Sequence, residues 1–153
     1  MDGTGDEQAL FQAASTNALA VSPDGHWLAY DAVSDGRSNV YVRPYPGPGV
    51  EVRVSPGGGR QPAWSPDGTE LYYIREDSIV ANPYAVTQGR LRPGAEEVLF
   101  QSSRLAQKGF DVPLAVLGRR RFVVVLSETE PDQPHMNVVL NWSREVAARL
   151  AGR

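Results

Sequence analysis

Two aspartates occupy matching settings in this chain, Asp24 in Ser22-Pro23-Asp24-Gly25 and Asp67 in Ser65-Pro66-Asp67-Gly68, 43 residues apart. A carboxylate repeated at a fixed interval is a candidate for ligand binding or catalysis. Turn chemistry explains both more simply: Pro presets φ for the first central position, Asp tolerates the second, and Gly takes the left-handed position that returns the chain. His26 and His135 each stand near a turn and lack metal-ligand spacing, so both read as surface residues. The acidic pairs Glu96-Glu97 and Glu128 with Glu130 read as solvated charge beside strands or loops. Arg119-Arg120-Arg121 is the single basic cluster, and it reads as an exposed hairpin tip because no aromatic interleaving or wider basic field accompanies it. Gly57-Gly58-Gly59 reads as a turn between structural units, since the Lys and Ser/Thr of a phosphate cradle do not follow it.

Larger catalytic signatures are missing as well. The sequence contains no glycine-rich loop with a paired Lys, no His-Arg-Asp loop, no Asp-Phe-Gly metal site and no Gly-x-Ser-x-Gly elbow. With no cysteine it can form no disulfide, zinc knuckle or thiol nucleophile. The expectation is a non-enzymatic chain with no catalytic, cofactor-binding or metal-binding residue and no cofactor. A net charge of -3 argues against nucleic acid as a partner, which would require a basic stripe. The acidic start Met1 to Glu7 lacks the basic and apolar regions of a signal peptide, and no apolar stretch is long enough to span a bilayer. If the chain is complete, a cytoplasmic protein without membrane insertion is expected.

The elements that carry these residues repeat. Ala18 to Tyr30 matches Gln61 to Tyr73 at a period of 43 residues, within the span of about 40–45 expected for a propeller blade of the WD type. After each Ser-Pro-Asp-Gly corner comes a strand that is apolar on both faces: Trp27, Ala29 and Val33 alternate with Leu28, Tyr30 and Ala32, and Leu71 and Tyr73 with Tyr72 and Ile74. Such strands must lie between neighbouring sheets. A third strand recurs in Asn39–Tyr45 and Asp77–Tyr84, each expected to stop at Pro-Tyr because Pro cannot donate to a ladder. An outermost strand recurs in Gln8–Gln12 and Glu97–Gln101.

The third copy is degenerate. Gly118-Arg119-Arg120-Arg121 replaces the corner, Phe122–Leu126 is its apolar strand, and Pro113–Leu117 is expected to form a different turn or a bulge. Met136–Leu140 is a last strand before a short helix over residues 142–151, in which Trp142, Val146 and Leu150 form one stripe and Glu145 and Arg149 pair. The expected fold is therefore all-β, a β-propeller arc of about three four-stranded antiparallel blades with a short C-terminal helix. Residues 1–7 are a disordered tail, residues 8–151 the partial propeller, and the blades span about 18–54, 60–102 and 108–141.

Ala63-Trp64-Ser65-Pro66-Asp67-Gly68 with its following strand resembles the repeat of TolB-like, WD-related bacterial propellers. Val42-Arg43-Pro44-Tyr45-Pro46-Gly47 and Asn137-Val138-Val139-Leu140-Asn141-Trp142 are similar to parts of the propeller found behind many bacterial serine/threonine protein kinases. The resemblance, over roughly Leu10 to Leu150, implies a scaffold of six blades or so for protein interaction or sensing. An arc of three blades cannot close, because propellers need about four to eight. Its open apolar ends are expected to be covered by missing blades of a longer propeller, or by a second copy in a homodimer that closes a six-bladed ring. An accessory propeller that regulates a linked kinase or a prolyl oligopeptidase-type hydrolase is the alternative. The sequence identifies no protein partner.

Overall fold

A computed structural model of the protein describes residues 18–106, 114–127 and 136–138. Three antiparallel sheets follow one another along the chain. The first contains β1 (Leu19–Val21), β2 (Trp27–Ser34), β3 (Arg37–Pro44) and β4 (Val52–Arg53), side by side in chain order. The second contains β5 (Arg60–Trp64), β6 (Glu70–Arg75) and β7 (Ser78–Thr87), with β8 (Arg90–Pro93) and β9 (Glu97–Gln101) both paired to β7. In the third, β11 (Arg121–Ser127) lies between β10 (Leu114–Gly118) and β12 (Met136–Val138). Among the described residues the helical element is one 3-10 turn, Ser103–Ala106. The fold is thus all-β and antiparallel, as expected. The tail 1–7, the strand Gln8–Gln12, the helix 142–151, and His135, Glu128 and Glu130 lie outside the described residues.

The repeated corners are built by side chain to backbone bonding within a few residues. The Ser22 hydroxyl donates to Asp24 Oδ1 at 2.5 Å and accepts from the Trp27 N–H at 2.9 Å, while the Gly25 N–H donates to the Ser22 carbonyl. Ser65, Asp67, Gly68 and Glu70 repeat the pattern, with Ser65 Oγ donating to Asp67 Oδ1 at 2.6 Å and accepting from the Glu70 N–H at 2.9 Å. Gly25 and Gly68 hold φ of 74° and 65°, conformations that side-chain-bearing residues resist.

Both faces of β6 are buried. Leu71 and Tyr73 join Trp64 and Val80 against Trp27, Ala29, Val40, Val42 and Val54 of the first sheet and its exit loop. Tyr72 and Ile74 join Ile79 and Ala81 against Phe122 and Val124 of the third sheet and Leu105 of the 3-10 turn. At an order of about 2 kcal/mol per fully buried large apolar side chain, these two layers dominate the stability of the described region.

Polar bonds stitch the same interfaces. Asp31, with no exposed surface, accepts the Ala18 N–H through Oδ1 (2.9 Å) and the Gln61 N–H of the second sheet through Oδ2 (3.1 Å). Gln61 can offer its N–H because β5 bulges between Arg60 and Ala63 and Gln61 takes a φ of 54°. The Trp64 indole N–H donates to the Ala20 carbonyl at 3.0 Å. The Gly59 N–H donates to the Ser38 carbonyl at 2.9 Å, where a Cβ would lie 2.8 Å from the Tyr73 ring.

The strand boundaries depart from expectation in the second sheet. β3 stops at Pro44, but β7 runs through Pro83 to Thr87. The missing donor is tolerated because Pro83 falls at a change of partners: β9 pairs no further than Ala81, the pairing with β8 starts at Tyr84, and Pro83 is the last residue of β7 paired with β6. The additional hairpin turns at Gln88-Gly89, both at positive φ, so the second sheet has five strands rather than four. Leu114–Gly118 is a strand with an irregularity between Val116 and Gly118, which is the bulge rather than the turn.

Asp31 is the most informative position for mutation. Asp31→Ala leaves two part-buried N–H groups without their acceptor and is expected to cost about 2 kcal/mol, read as a lower urea midpoint; Asp31→Asn, which keeps one acceptor oxygen, should cost clearly less.

Candidate binding faces at the strand ends

The turns collect at two opposite ends of the sheets. At one end lie the corners at Asp24 and Asp67, the β10–β11 turn at Arg119-Arg120, and the loop between β3 and β4. Asp24 is held below the usual carboxylate range by the Ser22 hydroxyl and the His26 N–H, and Asp67 by the hydroxyls of Ser65 and Thr69. Both carboxylates are therefore spent on their own turns, and neither is tuned as an acid or base for neutral pH. His26 is exposed.

The basic cluster is divided between roles. Arg119 and Arg121 are exposed, Arg119 lying 3.8 Å from Asp67 Oδ2 and 3.7 Å from Glu70 Oε2, but Arg120 is not a free hairpin tip. Its Nη2 contacts Glu70 Oε1 at 2.9 Å and Glu97 Oε2 at 2.6 Å, and its N–H donates to the Tyr72 hydroxyl at 3.1 Å. That hydroxyl in turn donates to Glu70 Oε2 at 2.7 Å. Burial alone would raise the Glu70 pKa, yet the bonds from Arg120 and Tyr72 outweigh it and hold the carboxyl low. Burial and the bond to Glu70 push the Tyr72 hydroxyl up to about 12. The network joins the second and third sheets.

Glu96 and Glu97 are likewise more than solvated charge. Glu96 accepts from the Tyr73 hydroxyl and pairs with Arg75, and Glu97 pairs with Arg120. Burial and the bond to Glu96 drive the Tyr73 hydroxyl well above its ordinary value. Each acid meets its partners only because β9 folds back onto β7, more than twenty residues after Tyr73 and Arg75 and before Arg120.

Among the described residues, two concavities can be placed between the first and second sheets. The larger, about 610 Å³, opens between the β3–β4 loop and the β7–β8 hairpin and is lined by Trp27, Pro48, Val50, Val52, Leu91 and Pro93 among others. The smaller, about 180 Å³, lies at the opposite end, where the β2–β3 and β6–β7 turns meet the connection from β4 to β5. Its walls are Arg37, Ser38, Gly57, Gly58, Gly59, Arg60, Ile74, Arg75 and Glu76. The sequence reading identified only the glycines among these. The arginines carry one local signal, in that each borders a turn, but nothing in the sequence aligns the turns of different sheets.

Among the described residues no group of three or more His, Cys, Asp or Glu side chains could hold a metal ion. No described helix is long and apolar enough to cross a membrane. No family model matches the chain, and no curated protein matches it.

The Glu70 network makes the junction of the second and third sheets acid-sensitive. A carboxyl whose pKa is lowered by folding contributes stability that is complete above its unfolded value, and that contribution is lost as pH falls through the folded value. Urea midpoints measured between neutral pH and about pH 3 should therefore fall, and Glu70→Gln should flatten that dependence. At neutral pH, Arg120→Ala should cost about 1 kcal/mol, because it removes the closest cation from buried Glu70 but leaves the Tyr72 hydroxyl and Arg119 beside it.

Proposed function

We propose that this chain is an arc of a β-propeller similar to TolB-like proteins, acting as a non-catalytic scaffold for protein interaction or sensing. The observation that carries the reading is the serial stacking: consecutive antiparallel sheets lie face to face, and the middle one is covered on both sides by its chain neighbours. Radial stacking of blades provides this cover in propellers. The corners at Asp24 and Asp67, consumed by their own turns, support a structural repeat in preference to a catalytic one.

The outward faces at the two ends support completion by further blades. Leu19 and Val21 pair with Tyr30 and Leu28 on the face of the first sheet turned away from the second, and both are exposed, Leu19 at 64%. Ala115 and Val123 share the corresponding face of the third sheet, beside exposed Leu117. Apolar side chains on both ends favour an arc that is covered, either by additional blades of a longer propeller or by a second copy of the chain.

Sedimentation of the purified chain separates the two covers. Self-association gives twice the 16.7 kDa chain mass, and Leu19→Asp with Val21→Asp should return it to monomer. A well-folded wild-type monomer would overturn the dimer and leave the longer propeller as the cover.

A further inference from the structure

We infer that the smaller cleft between the first and second sheets is a binding site for a phosphate group. The inference goes beyond the scaffold reading and does not depend on how the arc is completed, because every wall residue belongs to the first two sheets and their connecting loop.

Three arginines from three strands line this cleft: Arg37 at the start of β3, Arg60 at the start of β5 and Arg75 at the end of β6. The glycines make their convergence possible. A Cβ at Gly58, which holds a φ of 93°, would lie 3.0 Å from Arg37 Cδ, and one at Gly57 would lie 3.3 Å from Arg75 Nη1. Two of the three glycine amides are engaged elsewhere, Gly58 N–H with the Ser55 carbonyl and Gly59 N–H with the Ser38 carbonyl. Recognition therefore falls to side chains, unlike that of a glycine-rich phosphate loop.

The charge balance favours an anion. Arg75 is paired with Glu96, but Arg37 and Arg60 have no acidic partner among the described residues. Arg60 is anchored by one bond, from Nη2 to the Leu105 carbonyl at 2.6 Å. Its Nη1 and the Ser38 hydroxyl are both buried without a hydrogen-bond partner among the described residues. Both belong to residues that line this cleft, and buried donors left unpaired are rare and costly. Glu76 also lines the cleft, but it is exposed in its turn, where water and salt screen it. Donors arriving from three strands suit the tetrahedral oxygens of phosphate better than a planar carboxylate, which one guanidinium fork satisfies.

The test is titration of the full chain with inorganic phosphate and with O-phosphoserine at constant ionic strength. Binding is followed by the arginine side-chain Nε–H resonances and by Tm. Phosphate is expected to shift the Arg37 and Arg60 resonances and raise Tm, and Arg37→Gln should weaken binding about tenfold. Arg60→Gln should weaken it as strongly; if that variant does not fold, Arg37→Gln, altered at an exposed side chain, carries the test alone. Tighter binding of O-phosphoserine supports a phosphate borne by a protein, and tighter binding of inorganic phosphate supports a free anion. Absence of any shift up to roughly 20 mM phosphate, an equal shift with acetate, or unchanged affinity in Arg37→Gln would overturn the proposal.

Discussion

Leu71, Tyr72, Tyr73 and Ile74 are consecutive, and each is at most 1% exposed. Alternate residues of a strand point to opposite faces, so β6 has no side that it can give to water. A sheet must lie on each flank, and this requirement makes the second sheet the middle layer of the described structure. The first sheet presents Trp27 and Val42 to one flank and the third presents Phe122 and Val124 to the other. The Tyr72 and Phe122 rings meet edge to face, 4.8 Å apart. Removing either neighbour would expose a continuous aromatic and aliphatic surface.

Stacking sheets this closely forces every polar group at the seams to find a partner. The two seams solve the problem differently. Between the first and second sheets each bond has a backbone partner: the Gln61 N–H donates to Asp31, the Trp64 indole to the Ala20 carbonyl and the Gly59 N–H to the Ser38 carbonyl. Between the second and third sheets the bonds centre on ionised groups, Glu70 and Arg120 with Glu97 at the rim. The second arrangement titrates through Glu70, whose carboxyl is held low by Arg120 and Tyr72. Arg120 is also partly exposed, so solvent discounts the strength of its pairs relative to a buried ion pair.

The parts of the fold that were legible in the sequence are those held together locally. Each Ser-Pro-Asp-Gly corner closes within six residues, and its serine, aspartate and glycine take the same local tasks in both copies. The two-faced burial of β2 and β6 could be read from residue type alone, because the alternation leaves no polar face. Pro83 misled the reading of β7, since a proline usually ends a strand and its tolerance here depends on which strands flank it. Gly89 marked the resulting hairpin, but weakly. The candidate site was less legible still: Gly57-Gly58-Gly59 appeared as a turn, and the three arginines around it are scattered over nearly forty residues.

The sequence by itself determined an all-β chain, the corner geometry at Asp24 and Asp67, and the strands that had to be covered on both faces. These follow from turn chemistry and side-chain alternation, which act over a few residues. Only the tertiary structure decided that Glu96, Glu97 and Arg120 are structural partners rather than solvated charge. It alone brought Arg37, Arg60 and Arg75 to one cleft. Both outcomes depend on which strand ends are stacked beside one another, and that is set by the packing of whole sheets, which no local pattern encodes.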